Sequence, residues 1–202
     1  MIVLHKPSEA AKEKFLLEQQ TLRYSYPHVA ASMHLSQHVP AGYTRDRYRL
    51  LLGQGEGCFV RAKSALIQWT MYNNGWTELY PTIPEVRSGE TVNVIANHFG
   101  FWSFNAVRIV YRVDEQGYVR RFGFAVGTLP GHLEQGEERF CIEWHQEDDS
   151  VWYELFAFSK PKHQLVKLGY PLARMMQKRF AIDSQQAMRQ AVTEKQTLLS
   201  GF

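Results

Sequence analysis

The segment LPGHLEQGE, residues 129–137, separates two stretches that alternate like strands, and it carries His132, Glu134 and Glu137, with Glu138 and Arg139 opening the next stretch. An imidazole titrates near neutral pH and a neighbouring carboxylate can set its tautomer, so this turn holds the parts of a general acid or base. No nucleophile stands in the sequence with a base beside it. Two other readings therefore stay open beside catalysis: a solvated loop at a sheet edge, and a polar gate at the mouth of a ligand cavity.

Other candidates are weaker. His28, His34 and His38 are spaced by six and four residues, and a spacing of four suits a metal pair on a helix. Pro40 follows and no acid or cysteine is near, so these read as loop histidines and no metal is expected. The glycines of GQGEG, residues 53–57, invite comparison with a dinucleotide fingerprint. Cys58 stands where the third glycine belongs and Glu56 repels phosphate, which leaves a sharp strand-to-helix turn. Arg108, Arg112, Glu143 and Glu154 interrupt apolar stretches: they face outward on a convex surface, or they face inward and must pair. The choice of face stays open. Asn105 sits among inward-type positions, and His98, ending an alternating strand, can point the same way. Lys160, Lys162, Lys167, Arg174, Lys178 and Arg179 form a basic stretch with no acid before Asp183. It is a solvated helix face or makes transient contact with an anionic membrane surface. A net charge of +3 is too weak to imply nucleic acid.

Elements must position these residues, and 202 residues with 45% hydrophobic content are enough for one sizeable core. The 12 Phe, 10 Tyr and 5 Trp are more than such a chain usually has. Cys58 and Cys141 lack disulfide-scaffold or zinc spacing, so a reducing compartment fits. The start, MIVLHKPSEAAKEKF, does not read as a secretory signal, and no stretch has the roughly 18 apolar residues of a membrane span. A cytoplasmic protein is expected. Ser8 caps a short helix over 8–22, and the spacing predicts a strand over 45–53 followed by a helix over 56–71. Strands follow over 91–98, 104–113, 118–128, 138–146 and 151–159, joined by turns short enough to demand antiparallel neighbours. Strict alternation places Asn105, Val107, Ile109, Tyr111 and Val113 on one face. Leu168, Leu172, Met176, Phe180, Ala187 and Ala191 keep near-helical spacing, with Pro171 placed to open a long C-terminal helix. A sheet apolar on both sides needs cover or encloses something. The expected fold is therefore α+β of the helix-grip kind, with about six antiparallel strands around the last helix. Residues 1–39 form an N-terminal helix and connector, and 40–202 the ligand-binding type of domain.

The segments YRLLLGQGEGCFVRAKSALIQW, RIVYRVDE, RFGFAVGTLPGHLEQGEERF, SVWYELFAFSKP and LGYPLARMMQKRF closely resemble an uncharacterised family of bacteria and plants, catalogued as domain of unknown function nineteen-ninety. The resemblance covers about 40–192, and GTLPGHLEQGEERF is its most specific stretch. It implies a distant place in the superfamily of START proteins and the birch-pollen allergen. That superfamily includes carriers, receptors, cyclases and a few hydrolytic or dehydrating enzymes, so it implies a fold without an activity.

The expected function is to hold a small apolar molecule, lipid-like or polycyclic, as carrier or sensor, with no cofactor. Its expected contacts are His98, Asn105, Arg108, Tyr111, Phe124, Thr128, His132, Glu134, Glu137, Trp144 and Tyr153. An enzyme using the same cavity for acid–base chemistry, and an interaction module whose cavity is filled by Trp102, Phe104, Tyr111, Phe122, Phe124, Trp144, Trp152 and Phe156, remain alternatives.

Overall fold

The structure, a computed structural model, describes residues 1–33, 39–162 and 170–199. The expectations placed on His34, His38, Lys167 and Leu168 lie outside these residues. Ser8 is extended and its hydroxyl accepts from the Ala11 N–H at 3.3 Å, which starts helix α1 at Glu9–Gln20. The described residues form eight strands: β1 Ile2–Val3, β2 Thr44–Gln54, β3 Thr77–Tyr80, β4 Thr91–His98, β5 Phe101–Glu115, β6 Val119–Thr128, β7 Glu134–His145 and β8 Ser150–Pro161. Helix α2 spans Gly55–Ile67 and helix α3 spans Tyr170–Leu199. All strand pairs are antiparallel, in the order β2-β8-β7-β6-β5-β4-β3, with β1 added beside β5. This is the helix-grip arrangement, with two strands more than the alternation marks. Ile2–Val3 and Thr77–Tyr80 are too short to show a period of their own.

The two faces of the sheet are covered by opposite ends of the chain. Inside, α2 and α3 pack on Phe122, Phe124, Phe140, Ile142, Tyr153 and Leu155 in the main core. The Tyr153 hydroxyl meets Ser184 of α3 at 2.6 Å, tying helix to sheet. Outside, α1 lays Phe15 against Phe104 with ring centroids 4.9 Å apart, and the connector packs Tyr26 on Phe158 at 6.0 Å. Each layer thus buries one apolar side of the strands, as a two-sided sheet requires.

Three sequence expectations change. Ile109 pairs with Val126 but Tyr111 pairs with Ala125, so Val110 is an extra residue in β5. A bulge of this kind reverses which face the following side chains occupy. Asn105, Val107 and Ile109 therefore face inward while Tyr111 and Val113 face outward. Helix α2 stops at Ile67 rather than 71, because Trp69 adopts a left-handed conformation (φ 56°) that seats its ring 4.7 Å from Phe124. The turn of residues 129–137 is also shorter than its composition implies, since β7 begins at Glu134. Gly136 makes that start workable: its φ is +150°, and a Cβ there would lie 1.9 Å from the Phe158 carbonyl oxygen.

Candidate functional site

The main core fills only part of the space under the sheet. Towards the N-terminal half of α3 the sheet and helix separate around a cavity of about 760 Å³. Its wall is largely apolar: Val94, Val107, Val126, Leu155, Met176 and Phe180 contribute, with Tyr48, Tyr72 and Trp76. Ile2, Phe99, Phe101 and Leu172 also border it and are exposed to solvent, which marks an apolar mouth. Phe99 and Gly100, both at positive φ, form the two-residue turn between His98 and Phe101.

Among the expected contacts, His98, Asn105, Thr128, His132 and Glu134 line this cavity. The His98 Nε2 lies 2.9 Å from the Ser103 hydroxyl, and Asn105 Nδ2 donates to the same oxygen at 2.8 Å. Such a His–Ser pair has the makings of a nucleophile, but Ser103 is fully buried and does not border the cavity. Burial, aided by the charge of Arg179, keeps the His98 pKa below its ordinary value. Thr128 accepts from the Gly136 N–H at 3.0 Å. His132 receives the Glu134 N–H on Nδ1 at 2.9 Å, and burial, with the nearby N-terminal ammonium and Lys162, lowers its pKa to about 4. At neutral pH it is an uncharged ring whose proton sits on Nε2.

The other expected contacts lie elsewhere. Phe124 and Tyr153 are enclosed in the main core, and Trp144 stacks near Phe59 of α2 at 5.9 Å. Arg108 and Tyr111 are on the outer face. Arg108 donates to the carbonyls of Gln19, Gln20 and Leu22 at 3.1, 2.8 and 2.9 Å, closing the C-terminal end of α1. Glu137 contributes to the cavity wall, yet its carboxylate turns outward to the connector and accepts from Tyr26, Ala30 and Ser32. Glu143 is likewise outward, between Arg49 and Arg121 at 3.0 Å each, and Glu154 pairs with Arg47 at 2.6 Å on the same face, whereas Arg112, past the bulge, lies over the inward ring of Phe122 and pairs with Asp114 at 2.9 Å. Of the basic stretch, Arg174 reaches inward to Asp46 at 2.5 Å, and Lys162 donates to the Pro130 carbonyl. Trp102, Phe104, Trp152 and Phe156 are outer-face residues, and none of them borders the cavity.

Sequence reasoning passed over the polar end of the cavity. Asp46, Ala157, Glu138 and Val126 form one row across β2, β8, β7 and β6. Alternation was the available signal: Glu138 shares a face with Phe140 and Ile142, two core residues, whereas Glu137 does not. Ala157 between the two acids leaves room above it. Among the described residues nothing hydrogen-bonds the Glu138 carboxyl, and burial together with the charge of Asp46 pushes its pKa up to about 8. Glu134 is raised in the same direction by burial, opposed by hydrogen bonds from Ser159 and Gln177. The described residues include no group of His, Cys, Asp and Glu arranged to hold a metal ion.

Among solved structures the chain is similar to human STARD10 (12% identical, covering 98% of this chain and 86% of that one, TM-score 0.46) and to Ara h 8.0201 (11%, 76% and 99%, TM-score 0.45). Among curated sequences it is 30% identical to a UPF0548 protein of Dictyostelium discoideum over 98% of this chain and 99% of that one. It is 36% identical to a UPF0548 protein of Arabidopsis thaliana over 73% and 72%, and 34% identical to one of Deinococcus radiodurans over 90% and 93%. The model of the family described as Domain of unknown function (DUF1990) matches residues 25–187, and to that family this chain belongs.

Proposed function

We propose that the chain binds a small apolar molecule between its sheet and α3, as a carrier or sensor. The observation that carries this reading is the cavity itself: about 760 Å³, walled by aliphatic and aromatic side chains and opening past Phe99, Phe101 and Leu172. A space of this size falls within the range of small-molecule sites, and an apolar wall with few polar groups favours an apolar body held in one orientation. His98, Asn105, Thr128, His132 and Glu134 supply the polar contacts in this proposal.

Titration with the neutral dye Nile red tests it. Saturable uptake by the folded protein is expected, and Ala157→Phe, which fills the gap between Asp46 and Glu138, should abolish it while thermal unfolding stays cooperative. Native mass spectrometry of protein purified from its own host should show a retained small molecule. A folded protein without saturable uptake or retained mass rules the reading out.

A further inference from the structure

Resting on the binding reading above, we propose that the cavity selects molecules with one basic nitrogen at the end of an apolar body, its ammonium group seated on Glu138. The placement of charge carries this. Asp46, Glu134 and Glu138 bring three carboxyl groups to one end of the cavity, and Arg174 already engages both oxygens of Asp46, at 2.5 Å each. Glu134 is held by Ser159 and Gln177. Glu138 is left half-buried on the cavity wall, on the inward face of β7, with no hydrogen-bond partner among the described residues. A carboxyl facing a largely apolar cavity without a protein partner is poorly solvated, and a ligand that supplies a donor satisfies it.

The chemistry of the head group follows from its neighbours. A carboxylate or phosphate entering here would meet two acids and a guanidinium that is already engaged, so anionic ligands are disfavoured. An alcohol could take one hydrogen bond from protonated Glu138. An alkylammonium, charged at neutral pH as a lysine is, offers more: a charge-assisted hydrogen bond to the ionised carboxylate. The proton balance is simple. Free Glu138 holds a proton, the ammonium keeps its own, and on binding the Glu138 proton passes to the buffer.

The other ionisable groups facing this end do not supply that proton. From β2 and from the turn after α2, Tyr48 and Tyr72, and behind them in the main core Tyr153 of β8, have hydroxyl pKa values raised by burial and stay protonated. His132 is uncharged above about pH 4. From α3, Arg174 is held by Asp46, and Glu134 on β7 keeps its two partners.

Dodecylamine, dodecanol and dodecanoate, matched in chain and different in head, test the inference by calorimetry at pH 7 in buffers of different ionisation enthalpy. Dodecylamine should bind at least tenfold more tightly than either of the others and release close to one proton, whereas dodecanol should release none. Its affinity should rise from pH 6 to 8, and Glu138→Gln should cut the amine affinity at least tenfold while leaving dodecanol within twofold. Should that variant not fold, proton release by the parent protein decides alone. Equal or tighter binding of dodecanol or dodecanoate, no proton release, or an unchanged Glu138→Gln variant overturns the amine inference and leaves the cavity reading standing. Binding of none of the three removes both.

Discussion

The hydroxyl of Ser32 donates to the carboxylate of Glu137 at 2.6 Å, across 105 residues of sequence, and the Ser32 N–H adds a second bond at 3.0 Å. Tyr26 donates to the other oxygen at 2.6 Å, and the Tyr111 hydroxyl completes the set by bonding to Ser32 at 2.7 Å. One outward glutamate of β7 therefore anchors the connector on the sheet. Glu137→Ala should cost about 3 kcal/mol in urea unfolding, because several buried donors lose a charged acceptor at once. Nile red affinity per folded molecule should not change. A near-neutral unfolding result, or a loss of affinity without loss of stability, contradicts this role.

Arg108 makes a parallel prediction for α1. Its guanidinium takes three carbonyls at and just past the helix end, those of Gln19, which also accepts the Leu22 N–H, Gln20 and Leu22. Arg108→Ala should destabilise the protein by about 1–2 kcal/mol, and hydrogen exchange should quicken in residues 18–22. Ligand affinity should hold. Exchange unchanged at that helix end would show that the contacts do not fasten it.

Two phenylalanines in contact separate core from cavity. Phe140 is fully enclosed, touching Phe124 at 5.8 Å and Tyr72 at 5.9 Å, whereas Phe180 turns one side to the cavity. Phe140→Ala leaves a new void and should cost about 3–5 kcal/mol. Phe180→Ala enlarges a space that already exists and should cost less, about 1–3 kcal/mol, while altering dye affinity. Equal costs would mean that the cavity is closed around Phe180.

The pH dependence of stability should show two buried groups acting in opposite directions. Glu138, raised from 4.5 to about 8, binds a proton in the folded state that the unfolded chain has lost, so stability falls as pH rises between these values. His132, lowered from 6.5 to about 4, is protonated first in the unfolded chain, so stability falls as pH drops through that window. From pH 6.5 to 8 only the glutamate effect remains of the two. Urea unfolding should lose up to about 1.4 kcal/mol per pH unit there, and Glu138→Gln should flatten the profile. A parent profile already flat from pH 6.5 to 8 argues that Glu138 is ionised and solvated.

The sequence by itself determined the strand succession from Thr91 to Pro161, the Ser8 cap and the helix opened near Pro171, because alternation, capping and helical spacing are local properties written residue by residue. Inward Asn105 and Val107 were legible for the same reason. The side of the sheet taken by Tyr111 was not, since one extra residue at Val110 reverses every position after it and leaves no mark in composition. That the Glu137 carboxylate turns away from the cavity was not legible either, because its partners lie on a connector more than 100 residues earlier. Arg108 became a helix cap rather than a cavity residue because α1 came to rest on the outer face of β5. These are contacts between distant segments, decided by which apolar face each layer covers, and only the folded chain brings them together.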